Sequence, residues 1–166
     1  MSAAHTPTGR RETRDGLDAL VLERAFPDAV DVVWAAVTEP ASLERWIGTW
    51  SGDPATGTVD FAMTSEGADV EAEPATITAC EPRSRLAVSL GEGWRLELSL
   101  TEAAPGTVLT FAHLVDDPAA MADIGPGWEY YLDRLGVALA GGEVESVDFA
   151  DYHPGQSAYY RDLFAA

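Results

Sequence analysis

Apolar residues recur along this chain with two different periods, and the switches between them mark the elements. From Leu17 to Phe26, LDALVLERAF alternates, with Leu20, Leu22, Arg24 and Phe26 on one face and Val21, Glu23 and Ala25 on the other. That period predicts a strand. Pro27 stops it. Asp28 is placed to accept from the first free amides of a helix, and Asp31 adds negative charge at its positive end. Val30, Val33, Trp34 and Val37 then fall at helical spacing. Pro40 suits the first position of a second short helix, in which Leu43, Trp46 and Ile47 repeat the spacing before Gly48 permits a left-handed exit.

From about Trp50 to Val115 the period returns to two. Val59, Phe61 and Met63 alternate in TVDFAMT, Ala75, Ile77 and Ala79 in PATITAC, and Leu86, Val88 and Leu90 in RLAVSL. Trp94, Leu96, Leu98 and Leu100 do the same in WRLELSL, as do Leu109, Phe111, His113 and Val115 in the last segment. SGDPATG, TSEGADVE, EPRS, GEG and EAAPG separate them, each rich in turn residues. Five strands with one apolar face each predict an antiparallel meander. Beyond Pro118, Trp128, Leu132, Leu135 and Leu139 mark a long amphipathic helix that ends at Gly141 and Gly142.

The first sixteen residues have no periodicity and predict a disordered tail. The segment from residue 143 to 166 carries Phe149, Tyr152, Tyr159, Tyr160 and Phe164, with a last turn of helix near Leu163. That is too much aromatic surface for a free end, so an extension docked on residues 17–142 or on a partner subunit is expected. The fold class is α+β. A six-stranded antiparallel sheet with one apolar face needs a cover, and the long C-terminal helix supplies it, with the two short helices after strand one at the end. A twisted sheet wrapped around one helix leaves a lined cavity between them.

Composition narrows the partners. The 166 residues are 46% apolar and 23% charged, enough for one core, with ten arginines, no lysine and 28 acidic residues giving a formal charge of −18. Such a chain repels phosphate backbones and anionic lipids, so neither nucleic acid nor membrane is an expected partner. The acidity is read either as coding drift or as adaptation to concentrated salt, and neither names an activity. Cys80 is the single cysteine, and the N-terminus shows no apolar stretch of signal or spanning type, which makes the cytoplasm the expected location. His5, His113 and His153 are remote from one another and no paired-ligand spacing exists, so no metal and no cofactor are expected. Asp148, Asp151 and His153 form an acidic loop of the kind an acidic protein carries by chance. GxxxxGK requires a lysine, GxSxG is absent, and nucleophilic catalysis has no support.

Four segments carry a resemblance to a known family. They are ERAFPDAVDVVWAAVTEPASLERWIG from Glu23 to Gly48, EPRSRLAVSL from Glu81 to Leu90, GTVLTFAH from Gly106 to His113, and GWEYYLDRL from Gly127 to Leu135. In this order the chain resembles the SRPBCC or START-like superfamily, in the branch related to the activator of the ninety-kilodalton heat-shock chaperone ATPase. The resemblance implies the helix-grip fold reached above. That superfamily includes lipid carriers, hormone binders, polyketide cyclases and co-chaperones, so fold does not choose among them.

Strand alternation and helix spacing nominate Phe61, Met63, Trp94, Leu96, Phe111, His113, Trp128, Tyr131, Leu132 and Leu135 as the lining of a ligand cavity. The leading expectation is a carrier or sensor that encloses an apolar or aromatic small molecule, as a monomer or homodimer. His113 and the Tyr131 hydroxyl would orient the ligand. Trp46 and Trp50 are read as rim or core, Trp34 as packing, and Asp133 and Arg134 as solvent-facing. A second expectation is a cyclase or isomerase with His113 and Tyr131 as acid and base. A third, resting on the resemblance alone, is a protein-interaction role such as chaperone ATPase stimulation, which in the co-chaperones also draws on a separate N-terminal domain.

Overall fold

The computed structural model describes residues 5–67, 70–91 and 93–165. Residues 68, 69 and 92, within the TSEGADVE and GEG separators, lie outside the described residues, as does the start of the tail. Eight strands form one antiparallel sheet in the order β1-β2-β8-β7-β6-β5-β4-β3. They are β1 (Arg10–Arg14), β2 (Leu17–Phe26), β3 (Thr49–Ser51), β4 (Thr58–Ala62), β5 (Glu73–Glu81), β6 (Arg85–Leu90), β7 (Trp94–Ala103) and β8 (Gly106–Leu114). The helices are α1 (Val30–Thr38), α2 (Pro40–Leu43), α3 (Met121–Leu139) and α4 (Ser157–Leu163).

The sheet therefore has two strands more than the six expected, and each addition has a local cause. Arg10–Arg14, expected within a disordered tail, pairs with β2 from Arg10 opposite Val21 to Arg14 opposite Leu17. Between them Asp15 and Gly16 have φ of 51° and 78°, the two left-handed residues of the tight hairpin turn that Asp-Gly favours. Three arginines on this edge strand discourage further pairing. β3 is a three-residue strand against β4, placed by Gly48. Gly48 does not make the expected left-handed exit. A Cβ there would stand 2.1 Å from the Ala62 carbonyl oxygen, so the glycine is needed for close approach between chains.

The helices also depart from expectation in detail. Asp28 does not cap α1 with its side chain; Ala29 holds the N-cap position, and the Asp28 carbonyl accepts from the Thr107 hydroxyl at 2.8 Å. Val33 and Val37 bury as the spacing requires. α3 ends in a Schellman turn, with Gly141 at φ 74° and the Gly142 amide donating to the Val137 carbonyl at 2.9 Å. α4 is the last turn of helix expected near Leu163, extended back to Ser157, and it lies on α3 with Tyr160 fully buried. Its ring takes the place of a side chain at Gly125, where a Cβ would come within 2.3 Å of it.

One carboxylate joins both terminal segments to this helix. Glu129 is buried on α3 and accepts from the Thr8 amide and hydroxyl, each at 2.6 Å, from Arg24 at 2.8 Å and from the Tyr160 hydroxyl at 2.7 Å. Burial alone would raise its pKa, but these donors outweigh that and hold it below the ordinary carboxylate range. Arg24 also donates to Asp133 at 3.0 Å, and Asp133 accepts from the Tyr152 hydroxyl at 2.6 Å. The expectation of a solvent-facing Arg134 is overturned. It is 3% exposed and donates to the Trp46 carbonyl, the Tyr130 hydroxyl and Ser65, tying α3 to the end of the α2 turn.

Candidate functional site

Between the sheet and the helices lies an inner cavity of about 310 Å³. The sheet contributes Val59, Phe61, Ala75, Ile77, Leu86, Val88, Leu90, Leu96, Leu98, Leu109 and Phe111; Trp34, Val37, Leu43, Trp46, Ile47 and Trp50 come from α1, α2 and the chain that follows them. α3 closes it with Trp128 and Leu132. The facing residues are set by register: Leu96 opposes Val88, Leu98 opposes Leu86 and Phe111, and Leu100 opposes Leu109. A register shift between Ile77 and Ala79 changes the phase of β5. The alternation Ala75, Ile77, Ala79 thus fails at its last member, and Cys80, opposite Leu86, reaches the cavity instead as an exposed residue at its mouth.

Polar groups around this space bond to the protein itself. Trp46 Nε1 donates to the Ala36 carbonyl at 2.9 Å, Trp50 Nε1 to the Thr38 carbonyl at 2.7 Å, and the Thr38 hydroxyl to the Trp34 carbonyl at 2.7 Å. Trp128 Nε1 donates to His113 Nδ1 at 3.1 Å. An indole can only donate, so His113 accepts at Nδ1 and carries its proton on Nε2. Burial pushes its pKa down to about 4, against a smaller opposing pull from Asp116, and the ring is neutral at neutral pH.

Of the ten nominated lining residues, Phe61, Met63, Leu96, Phe111, Trp128 and Leu132 border the inner cavity. Trp94 and Tyr131 do not; they border an outer chamber of about 420 Å³, together with Met63, Trp128, Tyr130, Phe149 and Asp123. His113 borders neither. It is 2% exposed behind Trp94 and Trp128, with ring centroids 4.9 Å and 6.3 Å away. Leu135 is fully buried in the core beside them. Inward register was legible for both, but register cannot tell cavity wall from filled core. Trp34, read as packing, does pack against the core and is also a wall residue of the cavity. Its helical spacing fits both roles, and only the depth of the space beneath α1 shows the second.

Other candidate chemistry falls apart in three dimensions. Asp148 accepts from the Ala150 amide, and His153 pairs with Asp123 at 2.8 Å. Among the described residues no three His, Cys, Asp or Glu side chains gather as a metal site, and no helix is long and apolar enough to cross a membrane.

Residues 29–140 match the model of the family described as activator of Hsp90 ATPase homolog 1-like protein. The chain belongs to that family. Family membership covers α1 through α3 and the sheet from β3 to β8, the elements that enclose the inner cavity. Among solved structures, the crystal structure of CalU16 from Micromonospora echinospora is 24% identical, spanning 97% of this chain and 98% of that one at a TM-score of 0.72. EF2215 from Enterococcus faecalis is 21% identical over 93% and 88%, with a TM-score of 0.71. DynU16, a protein of the dynemicin biosynthetic locus, is 23% identical over 76% of this chain and 49% of its own, with a TM-score of 0.59. No curated protein matches the chain. These solved structures share the fold of the chain, an α+β arrangement with a large antiparallel sheet and a long helix after it.

Proposed function

We propose that this protein binds an apolar or aromatic small molecule in the inner cavity and acts as its carrier or sensor. One observation carries the reading: a space of about 310 Å³ is kept open by tryptophans and aliphatic side chains whose indole N–H groups at Trp46, Trp50 and Trp128 are bonded to the protein. A guest meets mainly ring faces and aliphatic groups, with Thr38, Cys80 and Glu97 as the polar members of the wall, so most of its affinity comes from apolar burial, at roughly 25 cal/mol per Å² before the cost of ordering. DynU16, from an antibiotic biosynthetic locus, is consistent with a small-molecule role. The acid–base alternative loses its base, because His113 is neutral, bonded to Trp128 and screened from both chambers.

The test is a binding titration with the neutral dye N-phenyl-1-naphthylamine, followed by its fluorescence. Wild type is expected to bind it, and Val88→Trp, which fills the cavity from a half-buried position, to lose at least roughly tenfold in affinity. A folded Val88→Trp that binds the dye as wild type does overturns the assignment. Native mass spectra of protein purified from its own host would give the mass of any retained guest.

A further inference from the structure

We propose that the outer chamber is a second binding site, specific for an organic cation. It lies across Met63 and Trp128 from the inner cavity and is walled by Trp94, Trp128, Tyr130, Tyr131 and Phe149. These rings meet at steep mutual angles: Trp94 and Trp128 at 54°, Trp128 and Tyr131 at 58°, Tyr130 and Phe149 at 68°. The rings are thus tilted rather than stacked flat on one another, and an aromatic wall of this kind beside the Asp123 carboxylate offers the π-surface that attracts an ammonium group.

Charge points the same way. Asp123 is the charged side chain of this chamber, and the adjoining cleft, which shares Met63 and Trp94, carries Glu71 and Glu73. Among the described residues no arginine lines either space, although Arg134 bonds to Ser65 in the chamber wall, and the chain as a whole has a formal charge of −18, which concentrates cations at its surface. His153, itself stacked on Phe149, faces Asp123 at 2.8 Å. Arg134 lies 5.3 Å from the Tyr130 ring centre, but its guanidinium is bonded to the Trp46 carbonyl and Ser65. That contact already shows the ring in use as a cation acceptor.

Two features keep this space open. Gly127 faces it from within α3, yet its φ is not left-handed and a Cβ there would meet no atom within 4 Å. Neither backbone nor packing requires glycine at a helical position where alanine is favoured; what its absence of a side chain preserves is volume. Phe149 supplies the last wall from the C-terminal extension, outside the residues of the family match. The cation site is therefore a property of this chain's extension, and it stands whether or not the inner cavity takes a guest.

The experiment follows the Trp94 indole N–H signal of the full chain by NMR during titration with benzyltrimethylammonium, benzyl alcohol and benzenesulfonate. The cation is expected to bind at least roughly tenfold more tightly than the alcohol, with the sulfonate weakest. Asp123→Asn should narrow that preference. Gly127→Leu should abolish the shift while leaving N-phenyl-1-naphthylamine binding unchanged, which separates this site from the inner one. Should Gly127→Leu fail to fold, Phe149→Ala, a truncation of a 40% exposed residue, is expected to weaken the cation at least about threefold. Equal affinity for the alcohol or the sulfonate, or a cation shift that persists in Gly127→Leu or is undiminished in Phe149→Ala, overturns the proposal.

Discussion

His113 is held neutral by burial, and that makes a residue without access to either chamber a determinant of stability. Its pKa is about 4 in the folded protein against 6.5 when unfolded, so the unfolded chain binds more protons between those values. The stabilisation from keeping the ring neutral is fully present above pH 6.5 and is lost as pH falls toward 4. Glu129, also held low, adds a loss of the same sign as pH drops through the carboxylate range. His113→Gln keeps an acceptor for Trp128 but does not titrate. We expect it to remove roughly 3 kcal/mol of acid sensitivity between pH 6.5 and 4, measured by urea midpoints at both ends; an unchanged pH slope would refute this. The inward register of His113 was legible in the sequence. Its partner was not, because alternation along β8 says nothing of the indole N–H that α3 brings to it. Arg134 was misread for a related reason: a charged side chain next to the apolar stripe of a helix reads as exposed until the Trp46 carbonyl appears beside it.

At the scale of elements, two glycines of one helix make opposite demands. Gly125 is overlain by Tyr160 of α4, whereas Gly127 faces empty space. Gly125→Ala should push α4 outward, lower stability despite the better helix propensity, and increase protease cleavage within residues 143–165. Gly127→Ala, with nothing to displace, should stabilise by up to about 1 kcal/mol. A thermal melt and a limited digest of both variants check the pair, and equal behaviour would contradict the packing described. Strands and helices with a clean period were legible: β2, α1, α3 and the meander from β4 to β8 fall where the period placed them, apart from a phase change in β5. β1 was missed although Asp15-Gly16 is a strong hairpin signal, because RRETR has no apolar face to reveal it. The shift at Thr78 was invisible for the opposite reason, since PATITAC alternates perfectly and only pairing with β6 exposes the phase change.

For the whole molecule, 28 carboxylates against ten arginines leave repulsion that a compact shape concentrates. Raising sodium chloride from 0.15 to 1 M, where the screening length falls from about 8 to 3 Å, should raise the melting temperature. A falling or flat melting temperature would mean that ion pairs such as those of Arg24 outweigh the repulsion. The overall architecture was legible because a one-faced sheet of this length has few ways to be covered; the division of the space beneath it into two chambers was not, since that depends on how Met63 and Trp128, which border both, are placed. The Glu129 carboxylate has a further meaning in time. Its partners sit at Thr8, Arg24 and Tyr160, so three of its four donors precede α3 in the chain and the last follows it. A chain still emerging from the ribosome can assemble the sheet and seat α3, yet the buried charge gains its last donor only when α4 arrives. The buried charge of α3 thus depends for its full set of partners on a segment that is made after it.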